Sequence, residues 1–233
     1  MKTQKTITLI LFGLLLATTI FASNVPTKKI SKITVQREKY IHSYTLEYDS
    51  KNRIKKVVPD NPEEFGFIEC EYGKNSFRIF RGDYFVSCSL NKQGYIINSV
   101  DGDFPILLIG DMYYNKKGQL LSIELKNANL FFKWENDDMT QMYVGKEQFD
   151  FRYTTLENKN QFGLFLKIEE EYRNLVFPYY GLLGKATKHL PASIGIGTDL
   201  INYNYKTDED GYVTEIVMIY PDNFKIISYK FEY

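Results

Sequence analysis

The chain has 233 residues, with 29 basic and 29 acidic side chains and a formal net charge of zero. No basic stripe runs among its aromatic residues, which leaves no electrostatic case for nucleic acid as a partner. Its length suits one large domain with a core of its own.

Residues 1–22 read as a cleavable secretory signal. Lys2 and Lys5 form a positive start, Ile7–Phe21 is apolar apart from Thr and Gly, and Ala22 offers a small residue for cleavage. The apolar stretch is short for a membrane helix, which needs about 20 residues. An uncleaved N-terminal anchor is the alternative. No Cys follows the stretch, so no lipid-attachment site is expected there. Residues 23–39 form an N-terminal segment with a possible first strand at Ile33–Arg37, and residues 40–233 form a single domain of repeated hairpins.

One phrase recurs through that domain. An aromatic-rich alternating run reaches a short polar turn, and a second alternating run returns. Tyr44–Tyr48 turns through Asp49-Ser50-Lys51-Asn52 into Arg53–Val57. Asp111–Tyr114 turns through Asn115-Lys116-Lys117-Gly118, and Asn202–Tyr205 turns through Asp208-Glu209-Asp210-Gly211. Further turns fall at Gly73-Lys74-Asn75, Asn91–Gly94, Glu135–Asp138 and Glu157–Asn160. Asn, Asp and Gly tolerate the left-handed backbone that tight turns demand. Nothing alternates as strand and helix. The fold class is therefore all-β: an antiparallel meander of about fifteen short strands in a strongly curved or barrel-like sheet.

Cys70 shares parity with Ile68 and Tyr72, and Cys88 with Val86 and Leu90, so both point to the packed face. The run Phe77–Phe80 lies between them. Two strand spacings come to about 9.5 Å, beyond the roughly 7 Å that bridged α-carbons allow. Two buried thiols are expected in preference to a disulfide, and neither has a partner that would make it catalytic.

One segment departs from the pattern. Leu182, Leu183, Ala186 and Leu190 fall at helical spacing ahead of Pro191, which predicts one short helical insert near 180–190. Such an insert reads as a lid closing one end of the sheet, or as a ligand-contacting loop.

The aromatic–turn–Gly phrase is similar to the tyrosine–aspartate repeats of large bacterial surface and toxin-shell proteins. The signal, the hairpins from Tyr40 to the C-terminus and the Leu182–Pro191 phrase together resemble a family of exported proteins of unknown function. That family is common in Gram-negative gut anaerobes and has a porin-like β fold. The resemblance implies such a fold and no established activity, so it assigns no catalytic residue. Many members carry a lipobox Cys after the signal, and this chain departs from them there.

Candidate chemistry is sparse. The two histidines, His42 and His189, have no metal-ligand spacing, and His189 falls where it would favour the end of the predicted helix. Glu169-Glu170-Glu171 reads as a solvated strand edge, and Asp101-Gly102-Asp103 as a turn. Asp208–Gly211 echoes part of a calcium loop, but Lys206 stands where an earlier Asp is needed. No nucleophile elbow, phosphate loop or dinucleotide fingerprint is present, so neither cofactor nor metal is expected. Aromatic residues make up 16% of the chain. They serve either as cross-strand ladders or as a surface that stacks on sugars or holds an apolar ligand.

These residues point to an exported, non-catalytic binding or interaction module, periplasmic or associated with the cell surface. Its partner would be a glycan, a lipid or a protein. The ligand contacts expected are Tyr179, Tyr180, His189 and Trp134. An outer-membrane barrel is the alternative, because the chain ends Tyr229-Lys230-Phe231-Glu232-Tyr233. Against it, charges fall on both strand parities. A carbohydrate-active hydrolase is a second alternative and requires two facing carboxylates.

Overall fold

The computed structural model describes residues 28–100, 110–125, 129–162, 181–221 and 225–233. The expected signal, Tyr179, Tyr180, Asp101–Asp103 and Glu169–Glu171 lie outside them.

Among the described residues, sixteen strands pair as eight up-and-down hairpins. They are β1 (Lys32–Arg37) with β2 (Tyr40–Tyr48), β3 (Ile54–Pro59) with β4 (Ile68–Tyr72), and β5 (Ser76–Arg81) with β6 (Tyr84–Leu90). Next come β7 (Ile96–Val100) with β8 (Gly110–Tyr114), β9 (Leu120–Leu125) with β10 (Asn129–Glu135), and β11 (Asp138–Val144) with β12 (Glu147–Glu157). The last two pairs are β13 (His189–Ile196) with β14 (Asp199–Thr207), and β15 (Val213–Ile219) with β16 (Ile226–Glu232). Each strand pairs antiparallel with its neighbour in sequence, and β1 closes the ring on β16 with Ile33 opposite Phe231 and Val35 opposite Tyr229. The expected meander is thus a closed barrel, which leaves no free sheet edge. A single helical turn, α1 (Pro62–Phe65), interrupts the connection from β3 to β4.

The barrel is apolar inside, and its outer wall carries the charged side chains among scattered exposed apolar ones such as Phe85 and Phe131. Ile33, Val57, Phe77, Ile123, Ile194, Ile216 and Tyr229 belong to one buried cluster drawn from all round the ring. The alternate positions face out and carry Lys56 with Glu69 at 3.4 Å, Lys32 with Glu232 at 3.2 Å, Lys206 with Glu215, and the exposed Arg78.

Cys70 and Cys88 are both free and buried, on β4 and β6 with β5 between them. Burial pushes each thiol up to about 12. Neither should react with a thiol reagent in the native chain at neutral pH, and both should react in denaturant. Fast native labelling of either would mean that the interior admits water.

The helix expected over 182–190 is not formed. Residues 181–188 lie across the lower end of the barrel as turn and extended chain, and Leu190 enters β13 as a buried strand residue. The backbone there is bonded to successive hairpin turns rather than to itself. Ile96 N donates to Leu182 O at 2.9 Å, Lys185 N to Gly118 O at 2.8 Å, and Lys188 N to Asp137 O at 3.0 Å. Gly184 has φ +91, and a Cβ there would sit 2.7 Å from Gly118 O. That position admits only glycine, and its conformation is incompatible with a helix. The helical spacing of Leu182, Ala186 and Leu190 is a coincidence of cap and strand burial.

Candidate functional site

The lower end of the barrel, where the cap lies, concentrates the polar groups. Four of its turns share one construction. Asp49, Asn91, Asn115 and Asp208 each end a descending strand, and the side-chain Oδ1 accepts the amides two and four residues on. The fourth residue of each takes a positive φ: Asn52, Gly94, Gly118 and Gly211. This is the physical content of the repeated Asx–Gly phrase. Each of these turns is followed by a register shift, for example Tyr113 opposite Ser122 but Tyr114 opposite Leu120. The bulge leaves Leu121 unpaired and facing out.

Just above these turns stands a ring of inward aromatic side chains. Tyr48, Tyr72, Tyr114, Tyr153, Tyr205 and Tyr233 donate their hydroxyls, and Trp134 its Nε1, at 2.6–3.0 Å. The acceptors are the carbonyls of Ile30, Ile54, Ile96, Met139, Pro191, Val213 and, for Trp134, Leu120. Each acceptor lies at the foot of the ascending strand of the same hairpin. The β5–β6 hairpin alone has an aliphatic residue, Leu90, in the matching place. Burial is the first cause of the raised phenol pKa at all six tyrosines, with Tyr48 and Tyr233 at about 12. Such phenols stay protonated and act as donors, not as acid–base groups.

The cap is locked by buried amides. Asn158 is 2% exposed; its Oδ1 accepts Phe162 N at 2.9 Å, and its Nδ2 donates to Phe162 O and to Thr187 O at 3.1 Å. Asn160 bonds Val213 N at 2.8 Å and the Tyr233 hydroxyl at 2.6 Å. Lys28 closes the ring at the N-terminal side, with Asp208 at 2.8 Å and Asp210 at 2.5 Å.

His189 opens β13 rather than ending a helix. Its Nδ1 lies 2.7 Å from Asp138 Oδ2, and its backbone N–H donates to Asp138 Oδ1 at 2.9 Å. Asp138 is the one buried charged residue among the described residues, and both its oxygens are committed to His189. Of the four expected contacts, the structure therefore places two, Trp134 and His189, in the foot of the barrel with structural partners. Sequence reasoning missed Asp138 and Asn158. The only signal for Asp138 was its position beside a turn, where an exposed residue is the usual expectation.

Carboxylates at the foot set an acid limit. Burial would raise the carboxyls of Asp49 and Asp137, but Arg53 at the first and Lys117 and Lys185 at the second outweigh it and hold them below the usual range. At Asp208 the bond from Lys28 is the leading cause and acts in the same direction. A depressed folded-state value means that the native chain binds fewer protons than the unfolded chain. The stability this confers is present above the unfolded value, about 3.9, and is lost as pH falls below it. The urea midpoint is expected to fall from about pH 5 to about pH 3. Asp49→Asn with Asp208→Asn should flatten that fall, because Asn keeps the turn acceptor without the charge. An unchanged slope in the double variant would contradict this assignment.

Among the described residues no cluster of three or more His, Cys, Asp or Glu side chains is placed to hold a metal. No family model and no curated protein matches the chain. The fold is similar to a porin-like protein from Bacteroides uniformis at 17% identity, with TM-score 0.62, over 90% of this chain and 99% of that one. A porin-like protein from Bacteroides vulgatus matches at 14% identity and TM-score 0.46, over 88% of this chain and 98% of that one. The first likeness is one of fold: a porin-like barrel, as the resemblance of the hairpins implied.

Proposed function

We propose that this chain is an exported, non-catalytic barrel that stands in water, in the periplasm or at the cell surface, and works as a binding or interaction module. The observation that supports this reading is the polarity of the wall. A barrel in lipid turns an apolar band outward, and each outward charge at mid-depth costs about 2–4 kcal/mol. Here the outward positions hold Lys56, Glu69, Arg78, Asp111, Glu124, Glu215 and Lys230 beside exposed apolar side chains such as Phe85, Tyr113 and Phe131, while the continuous apolar cluster is inside. The terminal aromatic run does not serve as an outward girdle, since Tyr229 and Phe231 are buried in the core and Tyr233 bonds Val213 O. The hydrolase reading gains no support from a buried pair: among the described residues Asp138 is the only buried carboxylate, and both its oxygens engage His189. The test is fractionation of the producing cell. Release of the mature protein by salt or carbonate, without detergent, is expected. Retention in the membrane until detergent is added would overturn the reading in favour of a lipid-embedded barrel.

A further inference from the structure

Two rows of side chains lie side by side on the outer wall of β7–β10. In the first, Tyr113 and Phe131 sit on either side of Ser122, with Tyr113 opposite Ser122 and Ser122 opposite Phe131. Both rings are about half exposed, at 47% and 50%, whereas Ser122 is 9% exposed beneath them. Ile97 and the bulged Leu121, at 37% and 40%, extend this apolar strip. In the second row the register sets Asn98, Asp111, Glu124 and Asn129 opposite one another across the same four strands. Asn98 Nδ2 donates to Asp111 Oδ1 at 2.8 Å, and Tyr113 OH to Glu124 Oε2 at 3.4 Å, so both rows share one face.

We propose that this face binds a neutral glycan chain, with Tyr113 and Phe131 stacking on sugar rings and the amide–carboxylate row meeting hydroxyl edges. The inference rests on the reading that the wall faces water. A flat apolar strip bordered by hydrogen-bonding groups matches the two chemistries of a sugar: an apolar C–H face and a polar rim. The rings stand two strand spacings apart, about 9.6 Å, so each meets a different residue of one chain. Charge decides which glycans fit. The charges in the two rows are Asp111 and Glu124. Beside them Lys133, two residues from Phe131, is held by the Tyr143 hydroxyl at 2.8 Å, so the carboxylates outnumber the ammonium and the face disfavours phosphate, sulfate and uronate groups, and therefore anionic lipid as well. A basic peptide would tolerate those charges. However, the closed barrel offers no strand edge for main-chain pairing, the usual source of affinity for an extended peptide on a sheet.

The test uses the mature chain without detergent in native gels containing amylopectin, a mixed-linkage β-glucan or galactomannan. Polygalacturonate and oligo-lysine serve as controls. Retardation by at least one neutral polysaccharide is expected, weakened about tenfold by Tyr113→Ala or Phe131→Ala singly and abolished by the pair. Because both rings are exposed, thermal melting of the variants should match the parent. Glu124→Gln, which keeps both rings, should weaken binding less than either. The proposal is overturned if no neutral polysaccharide retards the chain, if the double variant is retarded like the parent, or if only oligo-lysine binds. A chain released without detergent that binds no glycan sinks this proposal alone. A chain that needs detergent sinks the water-facing reading and the proposal together.

Discussion

Ile123→Lys should prevent folding, whereas Leu121→Lys, two residues earlier on the same strand, should change stability by less than about 0.5 kcal/mol. Ile123 is fully buried in the interior, and Leu121 is the exposed bulge residue on the outer wall. An unpaired ammonium among apolar side chains costs several kcal/mol. A domain's total stability is only about 5–15 kcal/mol. Urea denaturation of purified chains reads both effects. A lipid-embedded barrel would make Leu121→Lys costly as well, because Leu121 would then face the acyl chains.

The second large effect is expected at Asn158. Removing its amide leaves Phe162 N–H and the carbonyls of Phe162 and Thr187 buried without that partner. Each such group costs about 1–3 kcal/mol, so Asn158→Ala should destabilise the chain by about 2–5 kcal/mol. Asn158→Asp keeps the acceptor for Phe162 N but turns an oxygen toward the carbonyls of Phe162 and Thr187, and should destabilise the chain at least as much as Ala at neutral pH. Because the cap is held at several points, the loss should appear first as faster hydrogen exchange at the Lys185 and Lys188 amides, which bond to Gly118 and Asp137. Equal protection of those amides in parent and variant would contradict the locking role.

The meander was legible because two local signals agree along the chain: alternation of period two within the strands, and polar turns rich in Asn, Asp and Gly between them. The buried thiols followed from the same parity. Parity failed at the foot, where each bulge shifts the register by one. Leu121 and Ile123 have the same parity in sequence yet face opposite sides of the wall. For that reason the strip around Tyr113 and Phe131 could not be told from core by alternation. The helix prediction failed for a related reason. Residues 182–190 contain apolar side chains at helical spacing, but their backbone partners lie far away in sequence, at Ile96, Gly118 and Asp137. Trp134 and His189 stood out by rarity of type. In the structure Trp134 bonds a strand carbonyl and His189 bonds Asp138, and both contacts hold the foot together.

The most direct test of an apolar interior and a water-facing wall is thiol labelling around the circumference in detergent-free cell envelopes. Arg78→Cys, Asn204→Cys and Lys230→Cys place single thiols on β5, β14 and β16 at exposed outward positions. The native Cys70 and Cys88 are buried and give a silent background. A membrane-impermeant maleimide, added after the envelope is opened without detergent, should label all three positions rapidly. Protection of all three until detergent is added would show that lipid covers the wall, and would contradict the reading of this barrel as a protein that works in water.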